Sequence, residues 1–189
     1  RCGRSLPRDD CFEGAIGSVA VTPDVRKRNN RARSTARLAA VQALYQMEVS
    51  GVDASDVVDE FIAHRFCLVE GETHYERPDV KHFTNLVKGV VSRQSELDRS
   101  ANDCLAVGWS LLRLDMTLRA LLRAGIFELL ACPEVPAKAV ISEYVELARD
   151  FFDGAEPGLV NGILDTLARR LRPAEFEPGS GARDIVQDG

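Results

Sequence analysis

Between about residue 31 and residue 172 the apolar residues of this chain recur at three- and four-residue spacings almost without a break. That period belongs to helices packed by one face, and no run alternates apolar and polar as a half-buried strand requires. The most apolar stretch, about 111–131, carries Leu114, Leu118, Leu121, Leu122, Phe127, Leu129 and Leu130 around much of its circumference. A helix of that kind is covered on every side, so it predicts the central member of a bundle. The chain is therefore predicted to be all-α.

Local signals divide the pattern. The first helix is predicted over about 34–49, with Ala36, Ala40, Ala43, Leu44 and Met47 on one stripe and Gly51 closing it. Asp53 or Ser55 can cap a second helix that runs to about Phe66. Gly71–Pro78 reads as a loop, and a third helix follows Asp79. A shorter one is predicted over about 95–105. Pro133 and Pro136 separate the central helix from one at 137–152, since proline cannot continue a helix but suits the first turn of another. Pro157 opens a last helix to about Arg172, where Pro173 stops it.

With 189 residues, 45% of them hydrophobic, the chain is long enough for one domain with a proper core. Residues 1–30 mix glycine, proline and charge, and are expected to form a disordered basic extension. Residues 31–173 form the domain, and residues 174–189 are expected to be a flexible tail. No stretch reaches the ~18 apolar residues of a membrane span, and residues 1–30 lack the shape of a signal peptide, so a cytoplasmic protein is expected. The five cysteines, Cys2, Cys11, Cys67, Cys104 and Cys132, form no C-x-x-C pair and lie at no metal-ligand spacing from His64, His74 or His82. Cys104 and Cys132 sit among apolar residues and are expected to be buried thiols. No metal and no cofactor is expected.

Nothing in the chain has the form of a catalytic motif. There is no phosphate loop, no G-x-G-x-x-G, no G-x-S-x-G and no H-E-x-x-H. A non-enzymatic protein is the expectation.

Charge is more informative. The formal net charge is −5, yet Arg26, Lys27, Arg28, Arg31, Arg33 and Arg37 follow one another with no acid between them. An acidic body with one basic arm predicts a localised anion-binding surface. Arg33 and Arg37 stand one helical turn apart, and with Arg31 they lie near the predicted helix start, where free backbone N–H groups also favour anions. The planar guanidinium suits phosphate oxygens. Gln42 and Tyr45 follow on the same helix, away from the alanine–leucine stripe; an amide can read base edges and a ring can stack on an unpaired base. RNA binding by these residues, or a solvated helix start with Tyr45 packing at the core edge, both fit the residues alone.

The stretch Arg33-Ser-Thr-Ala-Arg-Leu-Ala-Ala-Val-Gln-Ala-Leu-Tyr45 resembles the opening helix of NusB transcription antitermination factors. Leu114-Asp115 with Arg119-Ala-Leu-Leu-Arg-Ala-Gly-Ile-Phe-Glu-Leu-Leu130 resembles that family's central helix. Val135-Pro-Ala-Lys-Ala-Val-Ile-Ser-Glu-Tyr-Val-Glu-Leu-Ala148 and Leu159-Val-Asn-Gly-Ile-Leu-Asp165 resemble its C-terminal signature. The resemblance implies a compact bundle of about seven helices. It also implies binding of boxA, a short single-stranded element of ribosomal RNA leaders, together with the ribosomal protein NusE, within the RNA polymerase antitermination complex. By position it gives RNA-binding roles to Arg31, Arg33, Arg37, Tyr45, Arg123 and Lys138, to which the reading of the residues adds Gln42, and partner-binding roles to Tyr45 and Leu159. Ser34 and Thr35 stand where the family is commonly basic, and Leu159 where it often has phenylalanine. Asn161-Gly162 is expected to be structural, the glycine allowing close helix packing. The resemblance leaves a homodimer open. Two alternatives are an RNA-binding fragment of a ribosomal RNA cytosine methyltransferase and a purely protein-binding helical module.

Overall fold

Six α-helices follow one another in the computed structural model, which describes residues 23–66 and 77–177: α1 (Pro23–Ser50), α2 (Ala54–Glu60), α3 (Val80–Asn102), α4 (Met116–Ala131), α5 (Ala137–Phe151) and α6 (Glu156–Leu171). A π-helical turn, Phe61–Arg65, prolongs α2, and single 3₁₀ turns stand at Leu111–Arg113 and Pro173–Glu175. No strand occurs among the described residues. All seven predicted segments are present, but the third and fourth are joined. They meet in α3 at a kink where Arg93 leaves helical geometry (φ −119°, ψ 15°).

The central helix is where its composition puts it. Every residue of α4 from Leu118 to Leu129 is buried, and α4 packs against α1, α3, α5 and α6. Its start lies later than predicted. Asp115 caps it by accepting from the backbone N–H groups of Thr117 (2.7 Å) and Leu118 (3.4 Å), so the chain before it forms a separate turn. The approach of α3 is set by Gly89: a Cβ there would lie 2.0 Å from the Phe127 ring.

The remaining ends follow their local chemistry. Gly51 ends α1 with φ +70°, a conformation glycine adopts without a steric penalty. Asp53 caps α2 through Ser55 N–H (2.8 Å), and Asp79 caps α3 through His82 N–H (3.0 Å). Pro157 stands in the first turn of α6.

Two boundary expectations are corrected. Residues 23–30, expected to be disordered, continue α1. The Ser34 and Thr35 hydroxyls donate to the carbonyls four residues back, on Asn30 and Arg31 (3.0 Å each), instead of capping a new start. Residues 174–177, expected in the tail, pack on the body: Arg169 lies 4.8 Å over the Phe176 ring, and Glu175 Oε2 accepts from Ala137 N–H (2.7 Å). Arg172 explains why. Its guanidinium donates to the carbonyls of Glu128, Leu129, Cys132 and Val135 at 2.6–3.1 Å, closing the exposed carbonyl end of α4, and also to Glu175. Residues 1–22 and 178–189, with Cys2, Cys11, Cys67 and His74, lie outside the described residues.

Cys132 is buried and its thiol pushed up to about 11, by burial first and by Glu128 second. Cys104 is half-buried. Gly162 does not serve close packing: it is exposed, and a Cβ there would meet nothing within 4 Å.

Candidate nucleic-acid interface

Helix α1 presents two chemically different faces. Lys27, Arg28, Arg31, Gln42, Tyr45 and Val49 are exposed, and their spacing puts them on one stripe with Thr35 and Leu38. From Lys27 to Tyr45 the stripe runs about 27 Å along the axis. Its basic end is at the helix N-terminus. At its other end Tyr45, 42% exposed, lines a groove of about 480 Å³ with Val49, Thr117 and Phe151. Arg65 stands at the rim of this groove. It lies 4.3 Å over the Phe61 ring and donates to Gln46 (3.3 Å), which in turn donates to Glu60 (2.7 Å). A groove lined by an exposed tyrosine ring and a guanidinium is suited to a stacked, charged ligand.

Arg33 and Arg37 do share a face, as predicted, but it turns from the partly exposed Arg33 into the core at Arg37. Arg37 precedes Ala40 by three residues and Leu44 by seven, so it belongs to the buried stripe, and it is 4% exposed. Its Nε and Nη2 reach both Glu128 oxygens (2.9 and 2.6 Å), and its Nη1 reaches Glu143 (3.1 Å). Burial alone would raise the Glu128 carboxyl; His82, whose Nε2 lies 3.4 Å away, and Arg37 outweigh burial and hold it at about 2. Burial likewise works against the charge on Arg37, and Glu128 more than reverses it. The expectation that Arg37 binds RNA is therefore corrected, because its charge is consumed in the core.

Arg123 is corrected for the same reason. It is 7% exposed on α4, pairs through two hydrogen bonds with Asp98 (2.7 and 2.9 Å), and reaches Glu48 (3.2 Å). Arg119 joins this cluster through Glu48 and the carbonyls of Leu112 and Leu114. A signal was present in the sequence: two arginines and a glutamate on the most apolar helix cannot be solvated and need buried partners.

The other candidates are dispersed. Arg33, partly exposed, lies 3.8 Å from Asp79 beside a groove of about 880 Å³ that Lys81, Asn85 and Lys88 of α3 also line. Lys138 is exposed on α5, in a groove shared with Arg149, Asn161 and Arg169. Leu159 is half-buried and lines an apolar groove of about 450 Å³ with Leu105, Trp109, Leu114 and Leu118. Next to it Val107, Trp109 and Leu112 are among the most exposed apolar side chains described. Sequence reasoning missed Arg65, Lys81, Lys88 and Trp109. The last had the clearest signal, a lone tryptophan between a glycine and a serine. No group of residues suited to a metal occurs among the described residues, and none of their helices is long and apolar enough to cross a membrane.

The model of the NusB family matches residues 34–169. The chain is 53% identical over 141 residues to the transcription antitermination protein NusB of Caulobacter vibrioides, covering 74% of this chain and 94% of that protein. It is 50% identical over 146 residues to that of Maricaulis maris, covering 77% and 91%. Among solved structures, T. maritima NusB superposes with a TM-score of 0.64 at 27% identity, covering 76% of this chain and 96% of the other. A chain from a crystal structure of the antitermination factors NusB and NusE in complex with dsRNA shares the fold, with a TM-score of 0.61, 23% identity, and coverage of 74% and 98%. The chain belongs to the NusB family.

Proposed function

We propose that this chain is a cytoplasmic transcription antitermination factor that binds single-stranded boxA RNA of ribosomal leaders together with NusE, and scaffolds processive transcription by RNA polymerase. The observation that carries this reading is the exposed stripe of α1. Three basic residues near its N-terminus, Lys27, Arg28 and Arg31, lie in line with Gln42 and Tyr45. Phosphate contacts at one end fix the strand's position, and amide and ring at the other meet bases. Proteins named for antitermination among the relatives support the same reading, and the chain shares the fold of a protein solved as NusB and NusE in complex with dsRNA. The apolar groove beside Leu159 and Trp109 suits a protein partner, because it offers aromatic and aliphatic area near the interface that RNA would occupy.

No bond is made or broken in this role. A few exposed cations on an acidic protein bind RNA weakly, so a partner that adds contacts raises affinity without new chemistry here. The test is fluorescence anisotropy of labelled boxA RNA against this protein with NusE, beside a scrambled RNA. Salt-sensitive binding to boxA alone is expected, with the loss of about 0.7 log units of salt slope per phosphate contact in Arg28→Ala and Arg31→Ala. Tyr45→Ala should weaken boxA binding by roughly 1–3 kcal/mol at unchanged slope. Equal binding to both RNAs would sink the reading.

A further inference from the structure

The outward face of the first half of α3 carries Lys81, Thr84, Asn85, Lys88 and Ser92, at i, i+3, i+4, i+7 and i+11. No acidic residue occurs from Val80 to Ser95, in a chain whose acids outnumber its bases 29 to 24. Among the described residues, neither Lys81 nor Lys88 has an ion-pair partner. Of the two carboxylates in the groove they line, Asp79 faces Arg33 and caps α3, leaving Glu134. The lysines stand about 10 Å apart along the axis. The groove adjoins the N-terminal half of α1 at Arg33, where α3 is tied to α1 by the hydrogen bond from Asp79 N–H to the Ala32 carbonyl (3.0 Å).

Two exposed cations in a row, with an amide and a hydroxyl between them, suit a linear polyanion. Lysine acts there as a point charge for phosphate, and Asn85 and Thr84 can donate to phosphate or ribose oxygens. We propose that this groove is a second phosphate track, which takes the RNA backbone flanking boxA where the strand passes the N-terminal half of α1. The proposal rests on the RNA-binding reading above.

The test uses the full chain with NusE, the variant Lys81→Ala/Lys88→Ala, and two labelled RNAs, boxA alone and boxA with unstructured flanks. Wild type should bind the flanked RNA more tightly and with the steeper salt dependence. The variant should bind boxA alone as wild type does. On the flanked RNA its salt slope should fall by about 1.4, a loss of roughly 10- to 25-fold at 0.1 M salt relative to 1 M. Wild-type melting temperature in the variant confirms that only charge was removed. If boxA binds specifically but the flanks add nothing, or the variant loses equally on both RNAs, the track is refuted and the boxA reading stands. If boxA is not preferred over scrambled RNA, both fall. A variant that loses a protein partner at unchanged RNA slope makes the groove a protein site and overturns the proposal.

Discussion

Substituting Arg37 by alanine strips a fully buried carboxylate of its main counter-charge. Glu128 is 0% exposed, and Arg37 supplies two of its hydrogen bonds, at 2.6 and 2.9 Å. Breaking a buried pair from one side costs roughly 3–5 kcal/mol, because the remaining charge stays buried and uncompensated. At about 2–4 °C per kcal/mol for a domain of this size, the melting temperature should fall by roughly 6–20 °C. The acid dependence is a second readout, shared between Arg37 and His82. Glu128 is held at about 2 in the folded protein against an ordinary 4.5, a difference of about 3 kcal/mol. A carboxyl with a depressed folded-state value stabilises the fold fully above about pH 4.5, and that contribution is lost as the pH falls toward 2. Melting curves of wild type and Arg37→Ala between pH 7 and pH 3 should therefore converge toward the acid end. Arg37→Met/Glu128→Gln should recover part of the loss, since removing both charges leaves none stranded. RNA titrations of the single variant, below its melting temperature, should keep the wild-type salt slope. If Arg37→Ala melted within about 2 °C of wild type while its RNA slope fell, Arg37 would be a phosphate contact and the burial argument would be wrong.

Three further substitutions probe the packing. Arg172→Ala takes a donor from four carbonyls at the α4–α5 connection, of which those of Glu128 and Cys132 keep a backbone N–H, and should cost about 2–4 kcal/mol, with hydrogen exchange accelerating first at the last turn of α4. Gly89→Ala drives a methyl group into the Phe127 ring and should cost at least about 1–3 kcal/mol by denaturant unfolding. Gly162→Ala meets nothing and sits inside α6, so the same assay should show a gain of up to about 1 kcal/mol; a loss there would reveal a contact made by the glycine backbone.

Much of the architecture could be read in advance. Asp53, Asp79 and Gly51 mark helix ends because each acts on backbone groups within a few residues of itself. The apolar pattern of about 111–131 identified the central helix for an equally local reason: its leucines and phenylalanine wrap much of the circumference. The site was less legible. Gln42 and Tyr45 were placed correctly on the exposed face by their position relative to the alanine–leucine stripe, whereas Arg37 was read as exposed because arginines at a helix start usually are.

What the chain determines by itself is thus the helices, most of their ends and the order of their burial, since these depend on neighbours three or four residues apart. Which arginine meets water and which meets a carboxylate is decided only by the packed structure. Arg37 finds Glu128 across 91 residues of sequence, Arg123 finds Asp98 across 25, and Arg172 finds the end of α4 across about 40. A guanidinium carries the same charge in both settings. Only the bundle, by bringing a buried carboxylate or an open carbonyl end against it, turns a potential RNA contact into part of the core, and leaves Lys81 and Lys88 exposed, with no ion-pair partner among the described residues.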